Sequence, residues 1–182
     1  MEMMKSEMME LHPGLVYLGG ANQYEEEIFA MVEDIKLFET FSLDEVRSLC
    51  QLMQCYAAPK DMTLLKEGDA GDFLILILTG KVVVEKALVT SSSKHIAEVG
   101  AGATLGEMSM IDGQPRFASC TTLLPTDFAV LTRETLNNVL LQMPRLGNKL
   151  LLTLLQTMSA RLRESIIESN AERSYGIYAA SV

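Results

Sequence analysis

The chain has 182 residues, 48% of them hydrophobic, which is the length and composition of one globular domain with a real core. A formal net charge of −9 and a sequence pI near 4.7 repel phosphate backbones and anionic headgroups, so nucleic acid and membrane surfaces are excluded as expected partners. Cys50, Cys55 and Cys120 are odd in number and lack C-x-x-C spacing, which excludes a disulfide framework and a zinc site and fits reduced thiols in a cytosol.

Met1 to Glu10 mixes methionines with Glu2, Glu7 and Glu10 and lacks the basic start and cleavage site of a signal peptide. Apolar runs such as Leu74 to Leu78 are far shorter than the roughly 20 residues of a membrane-spanning helix. A cytoplasmic chain is therefore expected. Residues 1–21, with His12, Pro13, Gly14, Gly19 and Gly20 and no sustained period, read as a mobile leader. Asn22 and Glu25 form a capping-box pattern followed by Ile28, Met31, Val32 and Ile35, which predicts a helix to about Lys36. Ser42 and Glu45 repeat the signal before Val46, Leu49 and Met53, predicting a second helix over 43–53.

After Pro59 short apolar runs alternate with glycines. Phe73–Leu78 and Val82–Val84 are predicted as paired strands joined tightly at Thr79 and Gly80, buried on both faces. Ser91–Ser93 read as a polar loop, and Lys94–Val99, Arg116–Leu124 and Asp127–Leu131 as further strands. Several short strands at regular spacing imply a sandwich or roll. Thr132 is a plausible N-cap for a helix that Pro144 ends, and a longer helix continues from Pro144 to about Asn170, leaving 171–182, with Tyr175 and Tyr178, as a short tail. Leu151, Leu155, Met158, Leu162 and Ile166 form a stripe on that helix.

The informative stretch runs from Leu105 to Ser119. A short helix starting at Glu107 leaves its first N–H groups free for an anion, and Gly106 admits a phosphate close to the backbone. Arg116 offers a planar, permanently charged fork to a phosphate monoanion. Glu107 beside an anion site needs hydrogen-bond donors, and a ribose 2′-hydroxyl is one. From spacing alone, a structural Arg–Glu pair across a turn stands slightly ahead of a ligand site.

The stretch resembles the phosphate-binding cassette of the cyclic-nucleotide-binding domain family, here written Leu105-Gly106-Glu107 and Pro115-Arg116. Upstream, Glu67-Gly68-Asp69-Ala70-Gly71-Asp72 and Thr79-Gly80-Lys81-Val82 resemble that family's glycine-punctuated hairpin. The resemblance covers roughly residues 37–168. It implies a mainly β fold, a jelly-roll (double-stranded β-helix) β-roll with N-terminal helices and a long C-terminal helix, spanning residues 22–170. It also implies a non-catalytic sensor whose ligand is cAMP or cGMP, with no metal. Glu107 would hold the ribose hydroxyl, Arg116 the cyclic phosphate, and Gly106, Met108, Phe117 and Ala118 would line the ligand.

Two departures matter. Leu105 replaces the usual phenylalanine conservatively, whereas Phe117 stands where the family has a small residue, so its ring either stacks on the base or occupies the base's volume. The absence of a threonine at 117 leans towards cAMP. The last helix resembles the family helix that covers the base and pairs subunits, which makes Arg161 and Ser165, four apart on one face, candidate base contacts and a homodimer an expectation. Signalling through that helix to an unknown effector protein follows from the same resemblance. The alternative is a degenerate fold serving as an interaction module without nucleotide. A cupin-type metal enzyme needs clustered histidines, and His12 and His95 are the two present. A transcription factor would need a helix-turn-helix unit that the twelve residues after Asn170 cannot form.

Overall fold

The computed structural model describes residues 8–9, 12–31, 33, 35–88 and 93–179, with side chains described as far as Ile167 except at position 36. In chain order the elements are β1 (Val16–Gly20), a 3-10 turn (Ala21–Tyr24), α1 (Glu25–Ala30), a second 3-10 turn (Lys36–Phe38), α2 (Leu43–Cys50), β2 (Gln54–Ala58), β3 (Thr63–Leu65) and β4 (Phe73–Ile77). They continue with β5 (Lys81–Ala87), β6 (Ser93–Gly100), β7 (Thr104–Leu105), α3 (Glu107–Asp112), β8 (Ser119–Thr122), β9 (Thr126–Thr132), α4 (Arg133–Gln142) and α5 (Pro144–Ala179). Five strands in the order β1-β2-β9-β4-β7 face four in the order β3-β8-β5-β6, and the ladders are antiparallel. The architecture is a β-roll with helices against one face.

Strand alternation divides the core. In β4, Leu74 and Leu76 point towards the helices, whereas Ile75 and Ile77 point into the roll. The paired strand β9 does the same with Ala129 and Leu131 against Phe128 and Val130. The five-stranded sheet is thus apolar on both faces, as expected for Phe73–Leu78. The helical layer closes over it with Ile28, Ile35, Phe38, Val46 and Leu49 from the N-terminal side and Leu136, Leu146, Leu150 and Leu154 from the C-terminal side.

Ser42 caps α2 with a complete box: the Glu45 N–H donates to Ser42 Oγ at 3.3 Å and the Ser42 N–H donates to Glu45 Oε2 at 2.8 Å. Thr132 caps α4, its Oγ1 accepting from the Thr135 N–H at 3.1 Å. Gly147 lets α5 approach α4, since a Cβ there would fall 2.8 Å from the Leu140 Cα. Lys149 on α5 reaches Glu45 on α2 at 2.6 Å, tying the two helical ends together.

Several expectations are corrected. The leader is partly packed: β1 pairs with β2, and Met8 and Leu15 are buried in the roll core; residues 1–7, 10 and 11 lie outside the described residues. The Asn22 box does not form, because Ala21 to Tyr24 are drawn into a 3-10 turn that buries Ala21, whose N–H donates to Met53 O at 3.0 Å. The first helix is therefore only Glu25–Ala30, and Val32 lies outside the described residues. The second helix ends at Cys50 because Gln54–Ala58 are claimed by the sheet.

The expected hairpin is not a hairpin. β4 and β5 belong to different sheets, and the chain crosses between them at Gly80, whose φ of +83° and crowding against Pro125 O require glycine. Ser93 starts β6, and Ser91 and Ser92 of the expected loop lie outside the described residues. The last helix continues to Ala179, so the expected tail is largely helical; the side chains of Tyr175 and Tyr178 lie outside the described residues. Among the described residues no helix is long and apolar enough to cross a membrane.

Candidate functional site

Arg116 leads into β8 from Pro115, its N–H donating to Asp69 O at 2.8 Å and its carbonyl accepting from the Gly68 N–H at 2.9 Å. The backbone thus aims the side chain under the loop before β4. Arg116 is only 4% exposed, and its Nη1 donates to both Phe73 O and Gly106 O at 2.9 Å, with the Phe73 ring centroid 4.5 Å from Cζ. Two glycines wall the guanidinium. A Cβ on Gly71 would fall 2.1 Å from Nε, and one on Gly106 would fall 2.5 Å from Nη1. Gly106 also takes φ +83°, so neither space nor backbone conformation admits another residue there.

The remaining terminal nitrogen, Nη2, is buried with no hydrogen-bond partner among the described residues. Burial pushes the Arg116 pKa below the ordinary guanidinium value, against the opposing pull of Cys120, Asp72, Glu107 and Asp69. An arginine stays charged through such a shift, so the protein holds a dry cation with the N–H donors of Nη2 unspent. An oxyanion at Nη2 is the natural complement.

Gly106 is also the N-cap of α3, so the segment that walls Arg116 places Glu107 on the first turn. Glu107 is 3% exposed and pairs with Arg161 Nη1 from α5, whose Nη2 donates to Thr104 O at 2.6 Å. The structure therefore brings Gly106, Glu107, Arg116 and Arg161 together. Arg161 lies on the carboxylate rather than at an open position for a base. Ser165, one turn further, is exposed and outside this cluster, and Met108 is exposed on the outer side of α3.

Phe117 is 55% exposed, turned out of the core while Ala118 is buried. Lys86 holds it from β5: Nζ donates to Phe117 O at 2.6 Å and lies 4.4 Å from the ring centroid. His95 is exposed on β6, and among the described residues no group of three or more His, Cys, Asp or Glu is placed to hold a metal ion.

Two side chains of this region gave no signal in the sequence. Arg133, the first residue of α4, donates from Nε to Met110 O at 2.7 Å and from Nη2 to Ser109 O, capping the carboxyl end of α3. It joins the cassette helix to the helices that follow. Lys86 is the other. Both contacts cross more than twenty residues of sequence, beyond the reach of any local pattern.

A cyclic nucleotide-binding domain profile matches residues 57–143. A crystal structure of a cyclic nucleotide-binding domain from Methylobacillus flagellatus KT is 58% identical, covering 88% of this chain and 90% of that one with a TM-score of 0.80. The Thermus thermophilus catabolite activator protein structure is 26% identical over 76% of this chain and 63% of its own, with a TM-score of 0.68. The CRP-like cAMP-activated global transcriptional regulator of Mycobacterium tuberculosis is 25% identical over 71% of this chain and 56% of its own length. The chain thus spans a little over half the length of that curated relative.

Proposed function

The chain belongs to the cyclic-nucleotide-binding domain family, and from that premise we propose that it is a non-catalytic cytoplasmic sensor that binds cAMP in preference to cGMP and signals through α5. One observation carries the binding claim: Arg116 Nη2 is buried, charged and unpartnered between Gly71 and Gly106. A cyclic phosphate oxygen supplies the missing acceptor, and the first turn of α3 adds amide donors beside it. Glu107 takes the ribose 2′-hydroxyl, and Gly106, Met108, Phe117 and Ala118 border the ligand. The preference for cAMP is supported by the lack of a threonine hydroxyl at 117 and by the similarity to a regulator named as cAMP-activated.

The signal starts at the Glu107–Arg161 pair. A hydroxyl donating to Glu107 competes with or rearranges the hold of Arg161, and that hold fixes α5 against Thr104. Ordering of α3 is passed on through Arg133 to α4 and so to α5. Ser165 lies on the part of α5 that closes towards the base when the helix shifts. Beyond the core-facing Leu146, Leu150 and Leu154, α5 exposes Leu152, Leu155, Leu162 and Ile166, which suits a second copy of the helix. We therefore include a homodimer, checked by light scattering at high concentration, with a monomer as the contrary result.

Thermal-shift titration with cAMP and cGMP tests the reading. Ligand at a hundred times its Kd should add about 2.7 kcal/mol to the wild type and nothing to Arg116→Ala. A second reading, an interaction module without nucleotide, draws on Arg161, which pairs with Glu107 from within the chain itself. A wild type unshifted by either nucleotide selects it.

A further inference from the structure

A second cluster stands beside the cassette. Lys86 touches Phe117 twice, by the hydrogen bond to its carbonyl and by the ammonium over its ring at 4.4 Å. Glu67 anchors Lys86 at 2.8 Å and is itself fixed twice: its Oε2 accepts the Ala87 N–H at 2.8 Å, and its own N–H donates to Ser119 Oγ at 3.0 Å. The aromatic at 117 is therefore clamped, and one of its faces is covered by a cation.

Alternation along β5 says which side of the sheet this is. Val82 is buried in the core of the roll and Val84 packs against that core, so Lys86, two further on, shares the inward face. Opposite them β8 presents Cys120, paired with Val84 and buried in the same core. Lys86 ends that row on β5, and the ring beneath its ammonium belongs to the residue next in sequence to Arg116. With Lys86 over one face, the residue is still 55% exposed, so the ring keeps apolar surface that a flat partner could cover.

We infer that Phe117, held by Lys86 and Glu67, is the stacking platform for the nucleobase and makes this site select purine over pyrimidine cyclic nucleotides. The inference rests on the binding proposed above and adds the base to it. A cation on one face draws electron density through the ring, which favours an electron-rich bicyclic base on the other, and a purine overlaps a phenyl ring more fully than a pyrimidine does. Lys86 and Glu67 act as positioning residues: neither contacts the ligand, and both restrict where the ring stands. The arrangement explains why a bulky residue beside Arg116 is compatible with an accessible site.

Isothermal titration with cAMP and with 3′,5′-cyclic CMP tests this on the full chain. The wild type should prefer cAMP. Phe117→Ala should weaken cAMP by about tenfold or more, the span found when a stacking aromatic is removed, and reduce the preference for the purine. Phe117→Tyr should retain both, and Lys86→Met should fall between, with Lys86→Arg restoring the preference. Unchanged or tighter cAMP binding in Phe117→Ala overturns the platform while the nucleotide site stands, provided that Arg116→Ala loses both ligands. A wild type that binds neither nucleotide overturns the platform together with the reading beneath it.

Discussion

In β4 every residue from Leu74 to Ile77 is buried and each finds a ladder partner on β9, so the strand contributes apolar area to both cores. The stretch from Gly106 to Arg116 is also held down at both ends, but its most buried side chains include Glu107 and Arg116, and one terminal nitrogen of Arg116 goes unanswered. The two regions touch, since Arg116 donates to the carbonyl of Phe73 at the start of β4. The contrast separates two uses of burial. In the strand, burial removes apolar surface from water and needs nothing further. In the cassette, burial strips water from a charge and leaves the charge available to whatever anion enters.

That division can be broken by substitution. The largest effect belongs to the strand side: Phe128→Ala removes a fully buried ring stacked on Tyr56 at 5.8 Å and should cost about 3–5 kcal/mol in denaturant unfolding. The shift given by saturating nucleotide should survive it. Next, Arg116→Met replaces the dry guanidinium by a shorter apolar chain. It should cost the free protein about 1–3 kcal/mol, because Phe73 O and Gly106 O lose their donor, while abolishing the nucleotide-induced shift. A larger loss of stability in the free protein would move Arg116 to the structural side of the comparison.

Smaller effects sharpen the boundary at the helical ends. Ser42→Ala removes the α2 cap and should cost about 1 kcal/mol with no change in nucleotide affinity, read by thermal melting and titration in parallel. The smallest concerns Glu45, whose carboxyl is held below the ordinary 4.5 first by the hydrogen bond from Lys149 and then by the Ser42 N–H. Because the folded value is the lower one, the unfolded chain binds more protons in acid. The contribution is present above 4.5 and is lost as pH falls through the lowered value. Glu45→Gln should flatten that part of the acid limb in pH-dependent unfolding, leaving neutral stability nearly unchanged.

Legibility followed the range of the interaction. The Ser42 and Thr132 caps and the Pro144 helix start are local chemistry, and they stand where the residues put them. Asn22 with Glu25 spells the same local pattern, yet packing of Ala21 beneath Met53 overrides it. β1 was hidden because Gly19 and Gly20 read as turn residues, whereas one ladder with β2 is enough to make them strand. The pairing of β4 with β9 rather than β5 is a property of the roll, set by contacts more than fifty residues apart. In the site, Gly106, Glu107 and Arg116 were readable because they form one continuous motif. The Arg133 cap, the Lys86 clamp and the turn of Arg161 towards Glu107 were not, since each is made by a strand or helix arriving from elsewhere.

A crystal structure of the chain soaked with cAMP addresses the binding claim most directly. A phosphate oxygen within hydrogen-bond distance of Arg116 Nη2, with the ribose hydroxyl on Glu107, is the predicted arrangement. Nucleotide absent at saturating concentration, or seated elsewhere with Nη2 still alone, would contradict it.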